Sequence, residues 1–375
     1  MFKNVRKISA LAMSLLAFTA CGNNDANTNQ TTDNDTKSQV SDTTDVDLSA
    51  EIDKDPTGEK VVLVTNNGSG GREEFIKEKL SAKGFNVEFV GLGGADGAAR
   101  VISEVENPTV NVIWGPPQFN FDDMIDAGAL AKWEPNWADK VGDYNRENGY
   151  SYPYEAQPKL WLANKDEFSE ADLPKTINEL ITDEKYHGKY LVPSNFGGTT
   201  NRAIVASILG QYLDESGDLG VSQEGWDLMK AYIDNGVREI EGEDKFVNLN
   251  DGKVPIIFEG ASNTVANIND GTIDPNIIYF ENGQASNTNE IGIVNSSDSA
   301  KLAESARLAN YLGSAEFLNE YVSEFGNLAV NEEAKGSMVA AAKEISDKYK
   351  DQELDWDTIN KNLDDWVAKI ELEFF

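Results

Sequence analysis

The sequence predicts an α/β protein of two lobes, each built on a mainly parallel sheet flanked by helices. Three observations lead there. Val61-Val62-Leu63-Val64-Thr65 is a short apolar, β-branched run. It passes through Asn66-Asn67-Gly68-Ser69-Gly70-Gly71-Arg72 into Glu73–Leu80, where Phe75, Ile76 and Leu80 make an apolar stripe. That is strand, glycine turn, helix. The same pattern returns downstream: apolar Tyr190–Ser194, the turn Asn195-Phe196-Gly197-Gly198-Thr199-Thr200-Asn201-Arg202, then the apolar helix Ala203–Leu209. Between them, Phe85–Val90 alternates like a strand, Ala98–Val105 reads as a helix and Val110–Trp114 as the next strand. Strands spaced by helices at this interval argue βαβ units.

A glycine turn that opens a helix leaves backbone N–H groups free at the positive end of the helix dipole, a ready site for an anion. The two turns are expected to face each other across a cleft between the lobes. This makes Asn66, Ser69, Gly70, Gly71 and Arg72 candidates on one side, and Gly197, Gly198, Thr199, Thr200 and Arg202 on the other. Ser69 or Asn67 is expected to cap the first helix. Ligands in such sheets sit beyond the carboxyl ends of the strands, which adds Gly91–Gly97 and Trp114–Phe119 to the same rim. Trp114 and Phe119 are placed to stack on a ligand there.

Composition narrows the classes. The net charge of −33 argues against nucleic acid and bare anionic lipid as partners. One cysteine and one histidine exclude an intrachain disulfide and a Cys/His zinc site. They also leave little support for a Ser-His or Cys-His nucleophile, so no enzyme and no cofactor is expected. His187 sits in a polar loop, and Gly68-Ser69-Gly70-Gly71 has neither the spacing of a dinucleotide fingerprint nor the Lys-Ser/Thr of a nucleotide phosphate loop. A carboxylate-pair glycosidase and an adhesin are the weaker competing classes.

In chain order, Met1–Lys7 is a basic head and Ile8–Ala20 a short apolar run, the layout of a secretory signal peptide over residues 1–20. Phe18-Thr19-Ala20-Cys21-Gly22 resembles a bacterial lipoprotein processing box, with Phe18 where leucine is usual. The resemblance implies cleavage before Cys21 and acyl chains, palmitate among them, on that residue. The protein would then be lipid-anchored to the cell membrane on its extracytoplasmic face. Residues 21–56 are mostly Asn, Asp, Thr and Ser, a composition that buries no core and is expected to be a disordered tether. The folded part is expected to divide as lobe one over 57–163, lobe two over 164–275, a return to lobe one over 276–330 and C-terminal helices over 331–375. Tyr150-Ser151-Tyr152-Pro153-Tyr154 is an extended packing segment. Trp356, Ile359, Leu363, Trp366 and Ile370 mark a last amphipathic helix that packs on a lobe.

A family resemblance rests on the middle of the chain. Leu160-Trp161-Leu162-Ala163-Asn164-Lys165, Leu173-Pro174-Lys175-Thr176 with Leu180, Tyr186-His187-Gly188-Lys189 and the strand to Pro193 resemble extracellular solute-binding proteins of ABC importers. The branch is that of ferric-ion, thiamine, sugar-phosphate and aminoethylphosphonate binders. The resemblance implies a type 2 periplasmic-binding-protein clamshell, a solute between the lobes, a membrane permease as partner and a monomer. Gly252–Gly260 resembles the family strand whose end carries cleft residues, here Glu259 and Ser262. Ferric-ion binders in the family use paired tyrosines, and this chain has no Tyr-Tyr pair. Arg72 and Arg202 beside two glycine turns suit a phosphate or phosphonate. Glu259 and Glu290 are placed to hold a hydroxyl or amine. An uncharged sugar, thiamine or a polyamine is the alternative solute.

Overall fold

The computed structural model describes residues 47–375 apart from Glu241. The signal peptide and Cys21 lie outside the described residues.

Lobe one opens with β1 (Lys60–Thr65), α1 (Arg72–Lys83), β2 (Asn86–Gly91), α2 (Gly94–Ser103), β3 (Val112–Pro117) and α3 (Gln118–Asp126). These are the βαβ units that the sequence pattern implies: β1 runs parallel to β2 and to β3. The chain then enters β4 (Ser151–Ala163), a thirteen-residue strand buried along its whole length. Lobe two follows with α4 (Ile177–Thr182), β5 (Leu191–Val192), α5 (Thr199–Leu209), β6 (Leu213–Asp218), α6 (Gln223–Asn235), β7 (Val237–Arg238), α7 (Lys245–Asn250), β8 (Ile256–Gly260), α8 (Ala261–Asn269) and β9 (Asn276–Ile278). The chain closes with β10 (Ser286–Ile293), α9 (Ser299–Gly313), α10 (Ala315–Phe325), β11 (Leu328–Ala329), α11 (Ala340–Lys348) and α12 (Trp356–Glu373).

β4 belongs to both lobes. Its first half pairs antiparallel with β10 and β11, within the order β11-β4-β10-β3-β1-β2. Its second half pairs antiparallel with β8 and β9. The change of partners falls at Pro158, which pairs opposite Ser286 while Lys159 already faces Gly260. Proline donates no ladder hydrogen bond, so it fits where one sheet hands the strand to the other. The sheets are therefore mixed, parallel at β1-β2-β3 and β5-β7 and antiparallel around β4.

Two aromatic clusters mark the cores. Trp114, Tyr154, Phe317 and Tyr321 are buried together under α10, with Trp114 and Tyr154 ring centroids 5.2 Å apart. In lobe two Trp161 packs on Phe258 at 4.8 Å and on the stacked pair Tyr190 and Tyr232. Ile359, Leu363, Trp366 and Ile370 of α12 are buried in that second core. No helix among the described residues is long and apolar enough to cross a membrane.

Two expected boundaries move. The tether was expected to reach Pro56, but Leu48 is buried, Arg307 of α9 pairs with Glu51, and Asn136 donates to Asp53 at 2.7 Å. The local composition is polar, and long-range partners on α9 hold it. The return to lobe one was expected from residue 276, but β9 still pairs with Trp161–Ala163 in the second sheet. The crossing comes at Ser286, where β10 starts against Pro158.

Candidate functional site

The ends of β1 and β3, the middle of β4 and the starts of five helices surround a hollow of about 480 Å³. Ser69 and Arg72 come from the start of α1, Gly94 and Ala95 from α2, Phe119 and Asn120 from α3, Thr200 from α5, and Ser262 and Asn263 from α8. The residues before these helices are Gly71, Gly93, Pro117, Gly198 and Gly260, and none gives a side-chain hydrogen bond to the first turn. Most other helices begin differently. Thr176, Ser222, Asp244, Asp298, Ser314 and Asp355 cap α4, α6, α7, α9, α10 and α12 with a side-chain oxygen. Among the described residues only α11, after Val339, joins the uncapped set from elsewhere. A side-chain cap occupies first-turn N–H groups, whereas an uncapped start leaves them for a ligand at the positive end of the dipole.

Two turns shape this end. Gly70 and Gly71 take φ of 64° and 81° in succession, a left-handed pair that favours glycine. Gly115, at φ 110°, lets the turn after β1 fold over the end of β3. A Cβ there would lie 2.1 Å from Asn66 Oδ1 and 2.6 Å from Asn67 Nδ2.

The floor is β4. Side chains alternate along a strand, so Glu155, Gln157 and Lys159 share one face, and all three line the hollow. Asn289 and Asn287 of β10 sit opposite Glu155 and Gln157. Burial raises the Glu155 carboxyl pKa, against the pull of amide donors and the Arg72 charge. Lys159 is 6% exposed, and its ammonium donates to Gln157 O at 3.1 Å. Burial pushes it down to about 8, against the attraction of Glu155 and Glu259. Arg72 lies 4.9 Å from the Phe325 ring centroid and donates to Ser69 O at 3.4 Å.

The model of bacterial extracellular solute-binding proteins matches residues 74–351. The chain belongs to that family. A probable ABC transporter periplasmic-binding protein of Sinorhizobium fredii is 27% identical over 305 residues, 81% of this chain and 84% of that protein. Apo ferric ion-binding protein A of Pasteurella haemolytica superposes with a TM-score of 0.66 at 16% identity, over 84% of this chain and 97% of that one. Trichodesmium IdiA (FutA), solved with iron and citrate ligands, gives 0.65 at 14% identity, over 84% and 98%. These likenesses establish the two-lobed α/β fold of a solute-binding protein.

Of the residues singled out in this solute-binding protein's sequence, Asn66, Ser69, Arg72, Thr200 and Ser262 line the one hollow. The two glycine turns therefore share it. Gly71 and Gly198 stand at helix starts, Gly70 sits in the turn beside Gly71, and the backbone of Thr199 opens α5. Neither Ser69 nor Asn67 caps α1: the cap position is Gly71, and Asn67 Nδ2 donates instead to the Tyr154 hydroxyl at 2.8 Å. Trp114 is fully buried among Tyr154, Phe317 and Tyr321, because strand alternation turns it into the core. Phe119 reaches the hollow instead. Arg202 and Gly197 line a second, larger hollow of about 930 Å³ that shares Phe119, Asn120 and Lys159 with the first, and there Arg202 pairs with Asp364 at 2.6 Å. Glu259 is held by Lys245 at 2.7 Å and Asn263 at 3.0 Å, and buried Glu290 by Arg146 at 2.8 Å, so both acids are committed to neighbours.

Sequence reasoning passed over Glu155, Gln157, Lys159, Asn287, Asn289 and Asn327, all in the wall. The available signal was alternation: three polar residues at every second position, set between apolar Tyr154 and Leu160.

Proposed function

We propose that this solute-binding protein captures a small organic anion, bearing a phosphate or phosphonate, and passes it unaltered to an ABC permease in the cytoplasmic membrane. One observation carries the reading: five helices begin at one hollow, all with glycine or proline where six others carry a side-chain cap. Such starts suit the several acceptor oxygens of a phosphate. Arg72 adds a cation and the planar fork that matches an oxyanion. The overlap with ferric ion-binding proteins is one of fold at 16% identity or less. No tyrosine stands among the described residues that line this hollow, which supports an organic solute over ferric ion.

An uncharged sugar is the second reading. Eight side-chain amides in the wall favour it, since amides both donate to and accept from hydroxyls. Thermal denaturation with a panel of phosphate esters, phosphonates, sugars, thiamine and polyamines tests both. A ligand at about 100 times its dissociation constant adds roughly 2.7 kcal/mol. Stabilisation by phosphate esters is expected; stabilisation by neutral sugars alone would replace the first reading with the second.

The protein is further proposed to be a monomer, anchored by acyl chains on Cys21. Labelled palmitate should enter the wild type and not Cys21→Ala; equal labelling would remove the anchor.

A further inference from the structure

Glu155 is a hub of amides. Its carboxylate, on a residue 1% exposed, accepts from Gln157 Nε2 and Asn327 Nδ2 at one oxygen, and from Asn289 Nδ2 at 3.2 Å at the other. An ionised carboxylate only accepts. Each of the three amides must therefore turn its NH₂ to Glu155 and its carbonyl oxygen away. Gln157 Oε1 then receives the Ser262 hydroxyl at 3.4 Å, and Asn289 Oδ1 receives Asn287 Nδ2 at 3.2 Å. Among the described residues Asn327 Oδ1 receives nothing, although Asn327 is 3% exposed and lines the hollow. A buried acceptor left without a donor is costly, so this oxygen points to a donor that the solute brings.

The sign of that donor follows from its neighbours. Glu155 lies within electrostatic reach of both Arg72 and Lys159. Lys159 also feels Glu259, which Lys245 holds, so three cations stand against two carboxylates; that balance disfavours an added ammonium, whereas a hydroxyl donates without adding charge.

We infer that Glu155 is a positioning residue that holds the carbonyl oxygen of Asn327 ready for the solute, so that the cleft selects anions carrying hydroxyl groups over anions carrying an ammonium or no donor. This rests on the anion reading above and narrows it.

Calorimetry on the full chain in detergent, with ethyl phosphate, 2-aminoethyl phosphate and glycerol phosphate as probes, tests it. Glycerol phosphate should bind at least tenfold more tightly than either of the others. Glu155→Gln presents an NH₂ of its own and forces an amide to turn round. It should cut that preference below threefold, with glycerol phosphate losing more affinity than ethyl phosphate. Asn327→Leu, which keeps the carboxylate, should likewise weaken glycerol phosphate at least fivefold more than ethyl phosphate. A merely structural role would lower all three affinities together, and that result overturns the inference. So does a wild type that binds ethyl phosphate and glycerol phosphate alike, in which case the anion reading stands. If none of the three esters binds while a neutral sugar does, both readings fall.

Discussion

Replacing Gly198 by aspartate separates what a helix start does for the fold from what it does for a ligand. Gly198 precedes α5 with φ −78° and ψ 148°, an extended geometry open to any residue. A Cβ there meets nothing within 4 Å. Aspartate is a better cap than glycine by a few tenths of a kcal/mol. Its charge at the positive end of the dipole adds about 0.3–1 kcal/mol. The variant should therefore be more stable by roughly 1 kcal/mol. The same carboxylate, taken as about 8 Å from a bound phosphate, repels it by about 0.5 kcal/mol in water and about 2 kcal/mol at an effective dielectric near 20. A middle value of about 1.4 kcal/mol is a tenfold loss of affinity. Gly198→Asn caps as well with no charge, so it should stabilise similarly and weaken glycerol phosphate only a few-fold, through the N–H it occupies. Urea denaturation gives the stability and titration calorimetry the affinity. Added salt should recover part of the loss in the aspartate variant only, since the site is exposed and screened. Stabilised variants that bind like wild type, in low salt and high, would refute the idea that helix starts grip the solute.

Other expectations follow from the same geometry. Arg72→Ala should weaken a phosphate ester by about tenfold or more, whereas Arg202→Ala, at the second hollow and paired with Asp364, should change it less than about threefold. The reverse order in calorimetry would move the anion site to that second hollow. Lys159, with its ammonium pushed down to about 8, should be charged at pH 7 and largely neutral at pH 9. Affinity for an anion should then fall across that interval, and Lys159→Met should flatten the fall. The sign for stability is opposite. The unfolded lysine still holds its proton above pH 8, so this residue makes the ligand-free protein more stable as pH rises from about 8 towards its unfolded value near 10.5. A pH slope that survives in Lys159→Met would assign it elsewhere. Trp114→Ala should cost about 3–5 kcal/mol in denaturation, with the affinity of the remaining folded protein unchanged, since the side chain is fully buried. Selective loss of affinity would return Trp114 to the site.

The parts of the fold that rest on local pattern were legible. Val61–Thr65 followed by glycines and an apolar stripe can hardly be read otherwise, and β1, α1 and their parallel neighbours stand where periodicity places them. What escaped depends on distant partners. Tyr150–Tyr154 and Lys159–Lys165 read as two pieces, because Pro153 and Pro158 interrupt the strand signal. Joined in β4, they bring Glu155, Gln157 and Lys159 into the wall. The asparagines of β10 and Asn327 gain meaning only from the carboxylate they surround. Helix caps were half legible. The glycines before α1 and α5 drew attention, but the contrast between five bare starts and six capped ones emerges only when the bare ones meet in space.

One strand threads both halves of the molecule, and Glu155, Gln157 and Lys159 stand where it changes sheets. The start of α8 lies beside them, since Gly260 pairs with Lys159, while α5 is packed in the core of the second half. A solute that touched the strand and both helix starts would therefore brace the two halves at the point where the backbone joins them.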